Sequence, residues 1–231
     1  LPALAEDSGA KVELNSVYPE TLVARYLQYE YIANNPFPLG EREGMVFAED
    51  GSAYSQVHRQ FHSRLAGLFL GLGFSNVILI DIETGEVVYT ARKYISFATS
   101  LSNGPYANGN MADLFRNLRR APDRGRVEIA DFQRHRARRG IPTAFIGTPL
   151  FDDGRPFALL VLELPVDAID HVMTGGQQWE RDGLGKTGEV CLVGGDMLMR
   201  SNARFLIEEP EQFVEQERAL KTPQAEIDRM L

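Results

Sequence analysis

Apolar positions along this chain follow two rhythms, and each switch between them marks an element. From Tyr18 to Asn34 the spacing is helical, with Leu22, Val23, Tyr26, Leu27, Tyr29, Tyr31 and Ile32 on one broad face. Pro36 and Pro38 end that pattern, because proline disfavours helix at the residue before it. A loop rich in Pro, Gly and charge fills 36–52. A second helix is predicted from about Ala53 to Leu72, with Val57, Phe61, Leu65, Leu68, Phe69 and Leu72 at threes and fours, closed by Gly71 and Gly73.

The rhythm then becomes that of strands. Val77-Ile78-Leu79-Ile80 and Val87-Val88-Tyr89-Thr90 are short β-branched runs joined by a turn in which Gly85 is free to take positive φ. A crossing segment, Tyr94 to Leu101, leads through the turn Asn103-Gly104-Pro105-Tyr106 to a short helix over 110–120. Its buried face is Met111, Leu114, Phe115 and Leu118. Val127-Glu128-Ile129 is a short third strand ending at Asp131-Phe132, followed by a basic loop from Arg134 to Arg139. Pro142 to Phe151 and Phe157 to Leu164 are strands four and five, separated by the turn Asp152-Asp153-Gly154-Arg155. A hairpin as apolar as the first needs further strands or a helix to cover it. The order predicts an α+β fold with a five-stranded, largely antiparallel sheet packed on N-terminal helices. A helix is expected from Val166 to about Glu180, a hairpin over Glu189–Val193 and Met197–Ser201, and a polar amphipathic helix from Glu208 to Leu231. We divide the chain into a helical region (1–73), a sheet module (74–164), a connecting helix and linker (165–185), and a partial second module with a C-terminal helix (186–231).

Composition narrows the function. A net charge of −8 argues against non-specific nucleic-acid binding, which depends on cations neutralising phosphates. The stretch from Arg116 to Arg139 holds nine arginines against three acids, but only Phe132 stands near its centre as a stacking aromatic. It reads as a solvated basic loop, with anionic headgroups or an acidic neighbouring domain as the minor alternative. The single cysteine, Cys191, excludes an internal disulfide framework and a four-cysteine zinc site. Leu1 in place of an initiator methionine leads us to expect a piece of a longer protein, and no run reaches the ~20 apolar residues that span a bilayer.

Candidate chemistry is sparse. Gly183-x-Gly185-x-x-Gly188 matches a dinucleotide fingerprint as a string. That fingerprint needs a strand before it and a helix after it, whereas here a strand follows, so it reads as a glycine turn. His58 and His62 stand four apart on a helix and could share a metal ion, but no third ligand accompanies them; packing or hydrogen bonding is the preferred reading. No nucleophile elbow is present, no cofactor is expected, and we expect no enzymatic activity in this segment.

Several pieces, in series, resemble the double Cache sensor domain, a PAS-like extracytoplasmic domain of bacterial chemoreceptors, receptor cyclases and histidine kinases. They are Tyr31-Ile32-Ala33-Asn34-Asn35-Pro36, Tyr54-x-x-x-His58-x-x-x-His62, Val88-Tyr89-Thr90, Phe97-Ala98-Thr99-Ser100-Leu101 and Gly104-Pro105-Tyr106. Pro142-Thr143-Ala144-Phe145-Ile146, Leu164-Pro165-Val166-Asp167, Gly183-x-Gly185-x-Thr187-Gly188-Glu189 and the run from Leu192 to Asn202 complete the set, which covers roughly 26–206. The resemblance implies a long N-terminal helix carrying two PAS-like sheets, with 74–164 as the membrane-distal, ligand-holding module and 186 onward as the start of an incomplete proximal one. The arginine–tryptophan and tyrosine–aspartate pattern of amino-acid-sensing members is absent, since the one tryptophan, Trp179, lies outside the distal sheet. The parent protein would be anchored in the inner membrane with this domain in the periplasm, and would pair as a homodimer through its long helices.

One face of such a sheet packs on helices, and the crossing segment covers the other, leaving room for a small molecule. Lys93, Tyr94, Phe97, Thr99 and Tyr106 lie on or beside that segment. Asp131 and Phe132 follow strand three, and Phe145 sits in strand four. Aromatic walls with one cation, Lys93, and one anion, Asp131, suit a small polar ligand: an amine, a carboxylate or an amino-acid-like zwitterion. The rival readings are a cytoplasmic PAS-like domain that binds a cofactor or catalyses a reaction, and an interaction module without a small ligand.

Overall fold

A computed structural model describes residues 21–138 and 141–224, together with Pro19 and Ile227. The chain divides into two compact units, one ending at Pro165 and the other beginning at Val166. The first is α+β and is built on one antiparallel five-stranded sheet.

Two helices precede the sheet. Helix α1 (Leu22–Gln28) opens on Thr21, whose hydroxyl accepts the Ala24 N–H, and continues as a π-helical turn, Tyr29–Ala33, that delivers Tyr31 inward. The helix expected from Tyr18 starts at Leu22 among the described residues, and Tyr18 itself lies outside them. Helix α2 (Ala53–Gly71) is capped by Ser52, whose hydroxyl accepts the Ser55 N–H. The loop between them carries a single 3-10 turn, Arg42–Gly44.

The strands are β1 (Asn76–Asp81), β2 (Val87–Thr90), β3 (Glu128–Arg134), β4 (Pro142–Asp152) and β5 (Arg155–Leu164), in the order β2-β1-β5-β4-β3 with every pair antiparallel. Interior strand β1 is covered on both sides, which explains its unbroken apolar run. Val77 and Leu79 join Tyr89, Leu160 and Leu162 against Ala66, Leu65 and Phe69 of α2. Ile78 and Ile80 join Phe145, Leu159 and Val161 on the opposite face, under Leu114, Phe115 and Leu118 of helix α3 (Asn110–Arg120).

β3 runs to Arg134, two residues past the expected end at Asp131-Phe132. Its register slips between Ala130 and Gln133, and the bulge lets it continue into what the arginines make look like loop. Among the described residues, a 3-10 turn, Arg136–Arg138, follows before β4.

In the second unit, α4 (Val166–Met173) ends seven residues before Glu180, because Thr174 and the positive-φ residues Gly175, Gly176 and Gln177 turn the chain. The hairpin expected over 189–201 reduces to one bridge, between Val193 and Met199. The tail is two helices, α5 (Arg204–Glu208) and α6 (Pro210–Ala219), and the end of the expected helix toward Leu231 lies outside the described residues apart from Ile227. Trp179 is buried under the Arg204 guanidinium, 4.6 Å from its ring centre. That guanidinium also donates to the carbonyls of Gly185 and Gly188 and to Glu208, which fixes the glycine turn as a structural knot.

Candidate functional site

The crossing segment between β2 and α3 makes two separate environments, one on each face of the sheet. On the α2 face stands Lys93. Its positive φ of 51° turns the side chain back beneath the helix, where it is fully buried. The Lys93 amine lies 4.7 Å from the Tyr89 ring centre, 5.5 Å from Tyr31 and 5.7 Å from Phe97. It donates to the Thr90 carbonyl and to Nε2 of His58 at 2.8 Å.

The tautomers follow from the partners. His58 Nδ1 faces the Val46 carbonyl at 2.5 Å and must donate there, so Nε2 is the acceptor for Lys93. His62 Nε2 donates to the Glu43 carbonyl at 2.7 Å, which leaves Nδ1 to accept the Tyr89 hydroxyl at 2.9 Å. The two imidazoles stack at 4.4 Å. Burial holds His58 down to about 2, helped by the Lys93 charge, and burial also lowers His62. Desolvation likewise pulls Lys93 well below the ordinary lysine value, with Glu43 acting in the opposite sense. Glu43 itself pairs with Arg92. These bonds clasp the 43–48 loop to α2 and to the end of β2. Gln28 adds a further tie, donating to the carbonyls of Ile95 at 2.9 Å and Phe97 at 2.7 Å.

On the α3 face most of the space is core. Phe145 is fully buried there, and Tyr94 packs beside it with Arg138 above its ring. Arg138 pairs with buried Glu163 at 2.5 Å. What remains open is a cavity of about 190 Å³ between the N-terminus of α3 and the far end of β3. Tyr106, Asn108, Asn110, Gln133, Arg134, His135 and Arg136 contribute to its wall. Tyr106 is buried, and its hydroxyl has no hydrogen-bond partner. Asn110 Nδ2 donates to the Asp131 carbonyl at 2.9 Å and the Thr143 carbonyl at 2.6 Å, fixing the helix start against β3 and β4. His135 packs edge-on to Phe145 at 5.1 Å, and burial lowers it to about 4 with help from Arg138.

The eight candidates therefore separate. Tyr106 lines the cavity. Lys93 and Phe97 lie together under α2, Tyr94 and Phe145 belong to the α3-side core, and Thr99 is buried with its hydroxyl on the Ser96 carbonyl. Asp131 is exposed and accepts the Phe132 N–H, so the expected Lys93–Asp131 pair does not face one hollow. His58 and His62 hydrogen-bond and pack, and no group of three metal-ligating side chains occurs among the described residues. Sequence reading passed over Asn110, Gln133 and His135 at the cavity and Tyr31 and Tyr89 around Lys93. The available signal was Asn110 as the polar residue at the helix start and His135 amid arginines.

No family model matches the chain, and no curated protein does. Among solved structures it is similar to the sensor domain of the histidine kinase DctB from V. cholerae, at 14% identity and a TM-score of 0.37, over 77% of this chain. The alignment spans 61% of the length of that structure.

Proposed function

We propose that this chain is an extracytoplasmic ligand-sensing domain of a bacterial transmembrane receptor, and that it binds a small polar molecule in the cavity beside Tyr106. The observation that carries the reading is the cavity itself. It lies under the crossing segment, on the sheet face away from α2, and is walled by polar side chains on regular elements. No described helix is long and apolar enough to cross a membrane, so the reading assigns anchoring to segments beyond those helices.

The route from ligand to output is physical. The segment that roofs the cavity at Tyr106 begins at Lys93, which is tied to His58 of α2, and passes Ile95 and Phe97, which are tied to Gln28 of α1. A ligand that favours one position of this segment biases the helices by its differential affinity for the two states. Pairing with a second copy belongs to the same reading. Val57, Phe61, Leu68 and Leu72 form an exposed apolar stripe along α2, next to the face that covers the sheet.

A thermal-shift screen of amines, carboxylates, amino acids and neutral polyols tests the proposal. A saturable rise in melting temperature with one class is expected, as mass action requires of a ligand that binds only the folded state. Asn108→Trp, which plugs the cavity from an exposed position, removes that rise and leaves the ligand-free melting temperature unchanged. Silence across all classes, or a rise that survives the plug, counts against the cavity.

A further inference from the structure

We infer that the cavity beside Tyr106 takes a small organic anion, held through a carboxylate by Arg134, Arg136 and the N-terminus of α3. This deepens the sensing proposal and rests on it.

The wall contains two arginines and no aspartate or glutamate. Both arginines are exposed at their outer ends, on the strand and 3-10 turn that flank the opening. α3 is an eleven-residue helix, so it presents a full positive dipole end to the same space. Its N-cap is Gly109, which supplies no capping side chain. In place of a cap, the Gln133 amide oxygen accepts the Asn110 N–H at 2.7 Å, and Asn110 Oδ1 accepts the Met111 N–H at 3.0 Å. A neutral oxygen from the opposite wall thus occupies a position that favours a negative one.

Tyr106 is the second, independent observation. Its side chain is 4% exposed, it lines the cavity, and its hydroxyl is unpartnered. A buried hydroxyl without a partner costs stability, and such a cost persists where a ligand oxygen satisfies it. Arg136 is close enough to pull the Tyr106 phenol down against the upward push of burial, so the two act on one small volume. His135 is neutral there and leaves the positive charge to the arginines. The nearest acids are spoken for: Asp113 pairs with Arg116, and Asp131 accepts the Phe132 N–H.

Isothermal titration of the 231-residue chain at constant ionic strength tests the inference. The probes are acetate, pyruvate and malonate, set against methylammonium, ethanolamine, glycerol, phosphate and sulfate. Saturable binding of at least one carboxylate is expected, weakened about tenfold in Arg134→Gln or Arg136→Gln, the loss of roughly one charge-assisted hydrogen bond. Gln133→Glu is expected to abolish that binding, because it tethers a carboxylate at the α3 N-terminus, and to raise the ligand-free melting temperature. Unchanged circular dichroism in each variant separates lost binding from lost folding. Binding of an amine or glycerol without any carboxylate overturns the inference while leaving the sensing proposal standing. Phosphate or sulfate binding without carboxylate binding overturns the carboxylate assignment. No binding by any probe, joined to silence in the wider screen, overturns the sensing proposal as well.

Discussion

His58 and Lys93 make an unusual pair for a protein interior: two basic groups, both buried, sharing one hydrogen bond at 2.8 Å. The bond needs the imidazole neutral, and burial ensures that by lowering His58 to about 2. The stability consequence has a definite sign. A group whose folded value lies below its unfolded value of 6.5 takes up protons more readily in the unfolded chain throughout the interval between them. The histidine contribution to stability is therefore complete above about pH 6.5 and falls as the pH drops through 6 and 5. His58, and His135 down to about 4, each contribute roughly 1.4 kcal/mol per pH unit in that window. Urea unfolding of the wild type and His58→Gln between pH 7 and 5 measures it. The variant should show a slope shallower by about one proton, and equal slopes would contradict the neutral-histidine assignment. Lys93 was legible in sequence as a cation beside aromatics. Its direction was not, because a positive φ of 51° at that residue sends the side chain to the α2 face.

At the scale of elements, the fit of α3 on the sheet depends on a missing side chain. A Cβ on Gly147 of β4 would meet Leu114 at 3.1 Å, Leu118 at 3.2 Å and Val161 at 3.3 Å. Gly147→Ala should cost about 1–3 kcal/mol by overpacking, read as a lower denaturation midpoint. A neutral result would mean that α3 can lift from the sheet without loss. The α2 stripe gives a second prediction at this scale. Phe61→Glu combined with Leu68→Glu should convert a dimer to monomer in sedimentation velocity with unchanged far-UV circular dichroism, since both side chains are exposed in the single chain. A wild-type chain that sediments as a monomer at high concentration would remove the pairing proposal. Strand and helix positions were readable wherever periodicity was strong, as in β1, β2, α2 and α3. They were misread where charge hid the end of a strand, as in β3, which closes on the exposed Arg134, and where a glycine pair cut a helix short after Met173.

For the unit that ends at Pro165, the account joins one sheet to two surroundings through a single crossing segment. The polar cavity lies at one end of that segment, and the His58 and Gln28 ties to the helices lie at the other. The sequence announced the segment and its aromatics but could not divide them between faces, since that division follows from backbone turns and from the bulge in β3. Gln28→Ala should leave ligand affinity nearly unchanged while reducing any ligand-induced protection of α1 amides in hydrogen exchange. Equal protection in variant and wild type would show that the tie carries no coupling. The most direct measurement is an amide chemical-shift titration with the best compound from the thermal screen. The account predicts saturating shifts at Tyr106, Asn110 and His135 and smaller ones at Ile95 and Phe97. Saturating shifts confined to the open acidic groove of Asp81, Asp152 and Asp153, with the Tyr106 cavity silent, would contradict it.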